Sequence, residues 1–159
     1  MIEKAKHYAR IIGKLPFVER VSLTGSLAEG RQHKGSDIDF FIQVRPGRLY
    51  FTRFFVTTVI QLLGVRRHGQ AVAGRICLNW FATFDGPARQ GRVHQVLWQR
   101  TSSELNLFER LLSGSFGQLL EQLAKRFQQA RFRRDPRTNQ LGSQVRFSDQ
   151  ELGFHPPKS

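Results

Sequence analysis

The sequence predicts an α/β (α+β) protein in which helices pack on a short β-sheet. Residues 1–15 place apolar side chains at helical spacing. Two apolar runs rich in β-branched and aromatic residues, 17–24 and 36–44, follow and flank a polar segment that contains glycine. After residue 100 the apolar positions return to helical spacing, which indicates a helical C-terminal part.

Size and composition limit the classes of protein. A chain of 159 residues is long enough for one domain with a substantial core. A single cysteine excludes an internal disulfide and a cysteine-rich zinc site. The net charge of +13 fits either an anionic partner, nucleic acid or nucleotide, or a solvated basic surface. Lysines interrupt the N-terminal segment, which therefore lacks a secretory pattern and favours a cytoplasmic location.

The first half of the chain predicts alternating helices and strands. The helix of residues 1–15 precedes a strand over 17–24, a turn or short helix with a basic loop, and a strand over 36–44. A further helix is predicted over 48–63, with Gly64 at its C′ position. Arginines within that segment leave its apolar stretch too short for a membrane span, so we expect it to pack on the sheet.

The second half begins with a basic loop and a third strand over 75–83. Beyond it, Thr101 with Glu104 is predicted to form a capping box for a first helix, and a second helix follows. The apolar positions of these two helices are Leu105, Phe108 and Leu112, then Leu119, Leu120, Leu123 and Phe127. We divide the chain into a core (1–86), a helical extension packed on it (87–130) and a basic, loop-like tail (131–159).

The pattern that carries chemistry is Gly25-Ser26, ten residues, then Asp37-Ile38-Asp39. Side chains alternate along a strand, so the two carboxylates lie about 7 Å apart on one face, which suits Mg²⁺, while Ile38 enters the core. Gly25 has no Cβ, so its backbone can approach a phosphate. Ser26 opens a turn whose N–H groups and hydroxyl can hold that phosphate.

This segment, V-S-L-T-G-S through D-I-D-F-F-I-Q-V, resembles the DNA polymerase beta-type nucleotidyltransferase superfamily, in particular its small stand-alone (minimal) members. The resemblance implies the nucleotidyltransferase fold with a short mixed sheet. It also implies that Asp37 and Asp39 are the catalytic, metal-binding residues and that Gly25 and Ser26 contact phosphates. From the loop between them we add Lys34, Arg31 and Ser36 as further phosphate-binding candidates.

The chain departs from the superfamily at the third carboxylate, which a later strand supplies. Here that strand offers Cys77 and Asn79 on one face and no acid. Asn79 is a candidate metal ligand through its amide oxygen, and Cys77 is interpreted as a small core residue. Two other acids lie near these segments: Asp85 past the end of that strand, and Glu29 in the turn after Ser26.

The resemblance implies Mg²⁺-dependent (or Mn²⁺-dependent) transfer of AMP from ATP, or of another nucleoside monophosphate, to a hydroxyl of an unidentified small molecule or protein. One alternative is a catalytically weak or inactive module that binds nucleotide or a partner, because the third acid is absent. Another is a basic nucleic-acid-binding protein that uses residues 126–137. A protein partner or self-association is compatible with each, and membrane attachment is not expected.

Overall fold

The structure is a computed structural model that describes residues 1–31, 33–67, 72–86, 95–138 and 144–155. These residues contain six strands: β1 (Val18–Thr24), β2 (Ile38–Val44), β3 (Ile76–Thr83), β4 (Gln95–Gln99), β5 (Gln144–Phe147) and β6 (Glu151–His155). They form one sheet in the order β4-β1-β2-β3-β6-β5. Strands β2 and β3 are parallel and the other neighbours are antiparallel, so the sheet is mixed.

In the part of the chain that the structure describes, five α-helices accompany the sheet: α1 (Ile2–Gly13), α2 (Gly25–Ala28), α3 (Leu49–Leu62), α4 (Leu107–Leu111) and α5 (Ser115–Arg134). The amphipathic first helix is confirmed, because Ala5, Ala9 and Ile12 are buried. The predicted C′ glycine is confirmed as well, since Gly64 follows α3 with a φ of +68°. Among the described residues, no helix combines the length and the apolarity that crossing a bilayer requires.

The two faces of β2 have different environments. Ile38, Phe40 and Ile42 are fully buried in the main core, with α1 and α3 packed over them. The alternate residues Asp39 and Phe41 point to the opposite face, where the Phe41 ring stacks on Trp80 at a centroid distance of 3.8 Å. The expected alternation is therefore present, and Asp39 lies on the side of the sheet away from the main core.

The pairing of β2 with β3 contains one irregularity. Asp39 lies opposite Cys77 and Phe41 lies opposite Trp80, so two steps along β2 correspond to three along β3. Such an extra residue is a β-bulge, which shifts the side-chain alternation after it. Strict alternation therefore does not fix the face of Asn79, whose side chain lies outside the described part of the structure.

The segment after β3 differs from the prediction in two ways. Residues 87–130 were expected to be helical, but β4 lies there and pairs antiparallel with β1. The predicted Thr101–Glu104 capping box is wrong, since the box that caps α4 joins Asn106 and Glu109. Both pairs have capping-box spacing, and tertiary contacts decide between them: Glu109 also accepts hydrogen bonds from Arg100.

The expectation of a loop-like tail is also wrong for much of its length. Helix α5 continues to Arg134, and β5 and β6 form an antiparallel hairpin whose second strand pairs with β3. Leu152 is fully buried in the main core, so this part of the tail packs against the rest of the domain. Strands this short take their stability from sheet partners distant in sequence, which local patterns do not reveal.

Helix α5 is attached to α3 by polar contacts. The carboxylate of Glu121 accepts hydrogen bonds from the backbone N–H groups of Tyr50 (2.9 Å) and Phe51 (2.8 Å) at the first turn of α3. The side chain of Gln128 donates to the Tyr50 carbonyl (2.7 Å) and accepts from Arg53 (2.8 Å). A glutamate at a helix N-terminus satisfies N–H groups that have no partner within the helix.

Candidate functional site

The site begins where β1 ends and α2 starts. Thr24, the last residue of β1, pairs with Asp39 of β2, and Gly25 follows it with a φ of +70°. An ideal Cβ placed on Gly25 would lie 2.4 Å from Oδ2 of Asp39. Only glycine leaves room for this carboxylate, and only glycine adopts such a φ without strain. The carboxylate and the glycine turn are therefore in direct contact.

Three potential metal-binding side chains meet beside this turn. One ligand atom each from Asp37, Asp39 and Cys77 lies within 4.8 Å of the other two, and all three residues are half-buried. Two carboxylates at this separation are a donor set that fits a divalent cation such as Mg²⁺ or Mn²⁺. The prediction that the two aspartates lie close together agrees with this geometry.

The interpretation of Cys77 as a small core residue is wrong, because this side chain is only partly buried and belongs to the cluster with the two aspartates. It lies directly opposite Asp39 on the parallel neighbouring strand, so its thiol faces the carboxylates rather than the main core. Burial, with the negative charges of Asp39 and Asp37, raises the pKa of the Cys77 thiol to about 12. At neutral pH the thiol is uncharged and adds no negative charge to the pair of aspartates.

Neither of the other two acids considered from the sequence joins the cluster. Asp85 is exposed beyond Thr83, the last residue of β3. Thr83 is six residues past Cys77, which corresponds to roughly 20 Å along a strand. Glu29 is the C-cap residue of α2, and its carboxylate contacts the guanidinium of Arg31.

Ser36 organises the loop between α2 and β2. Its hydroxyl accepts a hydrogen bond from the backbone N–H of His33 (3.0 Å) and lies 3.4 Å from the hydroxyl of Ser26. Ser36 is buried, whereas Lys34 is exposed on the same loop. Ser36 therefore holds the Ser26 hydroxyl in position, whereas the Lys34 ammonium group lies in solvent.

Arg67 is a site residue that the sequence did not single out. Its guanidinium donates to Oδ2 of Asp37 at 2.6 Å, and its backbone N–H donates to the carbonyl of Ile76 at 2.8 Å. Partial burial alone would lower the pKa of Arg67, but Asp37 and Cys77 outweigh it and raise that pKa. Arg67 belongs to the predicted basic loop after α3, and only the parallel pairing of β2 with β3 shows that this loop reaches Asp37.

Asn79 stays a prediction from the sequence, because its side chain lies outside the described residues. The described parts form a half-buried cluster of two carboxylates and a thiol, with the Gly25 turn against Asp39 and the Arg67 guanidinium against Asp37. Such an arrangement can hold a divalent cation and a polyanionic ligand next to each other.

Comparisons with known proteins show what this part of the chain is similar to. Residues 5–80 match the family model for the nucleotidyltransferase domain, a range that includes the Gly25 turn and the three clustered side chains. A solved structure, "Crystal structure of the toxin-antitoxin with AMP-PNP", aligns with a TM-score of 0.38 and 16% sequence identity. That alignment covers 80% of this chain and 91% of that chain. No curated protein matches the chain.

Proposed function

We propose that this chain, whose residues 5–80 match the nucleotidyltransferase domain model, transfers AMP from ATP to a hydroxyl group of a small molecule or protein. The observation that carries the proposal is the contact between Gly25 and Asp39, with Asp37 beside them. This contact gives a metal-binding carboxylate pair and a phosphate-accessible backbone turn on the same side of the sheet.

In the proposed reaction the acceptor's hydroxyl oxygen forms a bond to the α-phosphorus of ATP. The bond from that phosphorus to the bridging oxygen breaks, pyrophosphate leaves, and the hydroxyl proton is released to solvent. A divalent cation held by Asp37 and Asp39 would stabilise the negative charge on the attacking and leaving oxygens. Gly25 and Ser26 position the phosphates, Ser36 orients Ser26, and Lys34 is an exposed cation near the departing pyrophosphate.

The test uses ATP labelled at the α-phosphate, Mg²⁺ and a panel of candidate acceptors. We expect label transfer by the native chain and at least about 100-fold less by Asp39→Asn, because the substitution removes a charged ligand of the cation. Glu29→Gln is the matched control, since it removes a carboxylate near the turn that contacts Arg31 instead. Equal transfer by the native chain and Asp39→Asn would refute the proposal.

A second candidate function is a nucleotide-binding module without turnover. The neutral thiol of Cys77 favours it, because this side chain lies opposite Asp39 where a third acid would add charge. The same assay separates the two functions. ATP binding that depends on Asp37 and Asp39 but is never followed by label transfer would select the second.

A protein partner is part of the proposal, and α4 with α5 is the surface that fits one. Seven large apolar side chains there are half or more exposed, a set we call the α4–α5 apolar face: Leu107, Phe108, Leu111, Phe116, Leu119, Leu123 and Phe127. Isolated exposed apolar residues are ordinary, whereas contiguous patches mark interaction sites.

Charge indicates the kind of partner. The exposed charged residues of α4 and α5 are all basic: Arg110, Arg126, Arg131, Arg133 and Arg134. The acids of these helices, Glu109 and Glu121, instead accept hydrogen bonds from Phe17 and the start of α3. Two copies of a chain with a net charge of +13 would repel each other across this face. We therefore propose a partner with an apolar strip bordered by acidic residues.

A further inference from the structure

Arg67 forms the ion pair that faces the candidate cation site. Its Nη1 lies 2.6 Å from Oδ2 of Asp37, one of the two carboxylates proposed to hold the metal. The Arg67 side chain is 45% exposed, whereas that of Asp37 is 14% exposed. The carboxylate is thus confined, while the guanidinium has solvent on one side and room to rotate away.

The backbone of Arg67 is held in place, so only its side chain would move. Its N–H donates to the carbonyl of Ile76 at 2.8 Å, and Ile76 pairs with Ile38 next to Asp37. The main chain therefore stays beside the site while the long side chain can change its partner. A guanidinium presents a planar fork of donors that matches both carboxylates and phosphates.

A divalent cation would lie about 2.1 Å from its carboxylate oxygens. Arg67 and such a cation would then be like charges bound to one group, and each weakens the binding of the other. A displaced guanidinium next to a triphosphate finds a new anionic partner. With metal and nucleotide both bound, the carboxylates would neutralise the metal and the triphosphate would neutralise the Arg67 guanidinium.

We propose that Arg67 is a phosphate-binding residue that pairs with Asp37 in the empty site and turns to the nucleotide's triphosphate when metal occupies the carboxylates. The inference rests on the proposed function and adds a coupling to it. Arg67 opposes metal binding while nucleotide is absent and supports nucleotide binding once metal is present. Such coupling is reciprocal and commonly amounts to about 5–150-fold in affinity.

The experiment measures two affinities in the native chain and in Arg67→Gln. The first is the affinity for Mn²⁺ alone, measured by electron paramagnetic resonance. The second is the affinity for a non-hydrolysable ATP analogue at saturating Mn²⁺. We expect Arg67→Gln to bind Mn²⁺ about fivefold or more tightly and the analogue about fivefold or more weakly.

Arg66→Gln is the matched control, because it removes the same charge from the neighbouring position. Arg66 donates to Gln61 rather than to Asp37. We expect this variant to change both affinities less than twofold. Equal changes in the two variants would attribute the effect to net charge and would overturn the proposal.

Two other outcomes overturn the inference. Unchanged or weaker Mn²⁺ binding by Arg67→Gln would show that Asp37 serves both cations at once, and unchanged analogue binding would show that Arg67 does not reach the phosphates.

Asp39→Asn distinguishes these failures from failure of the proposed function. If the native chain binds Mn²⁺ and nucleotide through Asp39 but ignores Arg67, the inference alone is wrong. If the native chain binds neither, both are wrong.

Discussion

The carboxylate of Asp39 lies against the backbone of Gly25, so closely that a Cβ on residue 25 would fall 2.4 Å from Oδ2. Two residues separated in sequence by a short helix and a loop thus occupy one small volume. A larger side chain at position 25 would displace the Asp39 carboxylate. Their contact links the shape of the turn to the position of a charged group, and it provides the most direct test of the site.

We predict that Gly25→Ala lowers the transfer activity by at least about 100-fold, because the new methyl group displaces the Asp39 carboxylate. Stability should fall by about 1–2 kcal/mol, since alanine at a φ of +70° is strained. Gly30→Ala is the control: it has the same φ of +70°, and a Cβ there meets no atom within 4 Å. Similar activity loss in both variants would assign the effect to backbone strain rather than to Asp39.

We predict that Cys77→Asp strengthens Mn²⁺ binding by roughly tenfold, because it adds a carboxylate where three ligand atoms lie within 4.8 Å of one another. Without metal the same variant should melt at a lower temperature than the native chain, as three negative charges then repel. Calorimetric titration and melting curves with and without EDTA test both statements. Cys77→Ser, which stays neutral, should leave Mn²⁺ affinity within about twofold of the native value, and a tenfold gain there would contradict the explanation.

We predict that Glu109 makes the fold sensitive to acid. Burial alone would raise the pKa of Glu109, but hydrogen bonds from Phe17, Arg100 and Asn106 outweigh it and the pKa is lowered. Its stabilising contribution is therefore complete above the unfolded pKa of about 4.3 and is lost as pH falls through the lower folded pKa.

Urea unfolding of the native chain and Glu109→Gln between pH 7 and pH 3 tests this contribution. At pH 7 the variant should be less stable by about 3 kcal/mol, because Arg100 loses its buried partner. The difference should shrink as the pH falls. Glu104→Gln, which changes an exposed side chain, should match the native chain throughout. A difference for Glu109→Gln that does not depend on pH would rule out the electrostatic account.

We predict that Leu119→Gln with Leu123→Gln leaves stability within about 0.5 kcal/mol, since both side chains are largely exposed. Leu152→Ala, at a fully buried position, should cost about 2–5 kcal/mol in the same unfolding assay. A loss comparable to that of Leu152→Ala would mean that the two leucines belong to the core rather than to a docking face.

The binding part of this prediction uses a synthetic amphipathic helix with leucine along one face and glutamate at its borders. It should bind the native chain, more weakly at high salt, and should not bind the double variant. A lysine-bordered version of the peptide should not bind. Native chains that associate with one another through this face in sedimentation experiments would contradict the partner that we propose.

Local patterns in the sequence were sufficient to indicate that the two aspartates lie near the glycine turn. Ile38 and Asp39 alternate as β2 requires, Asp37 directly precedes that strand, and Gly25 marks the turn that Asp39 contacts. The helices α1 and α3 were also predictable, because their apolar spacing and the glycine after α3 are local signals.

Contacts between distant strands account for what the sequence did not reveal. Cys77 joins the aspartates only because β3 runs parallel to β2 with Asp39 opposite it, and Arg67 reaches Asp37 by the same pairing. Strand β4 and the β5–β6 hairpin are short and owe their conformation to β1 and β3. Pairings between segments so far apart leave no periodic trace in either segment.

The pairing of β6 with β3 has a practical consequence for fragments of this protein. Residues 5–80 carry the family match, yet β3 is bordered by a strand formed from residues 151–155. A fragment ended after α5 would expose the hydrogen-bonding groups of β3 along one side, and free strand edges promote aggregation. We therefore expect a fragment that keeps residues 5–80 but lacks the final hairpin to aggregate more readily than the full chain.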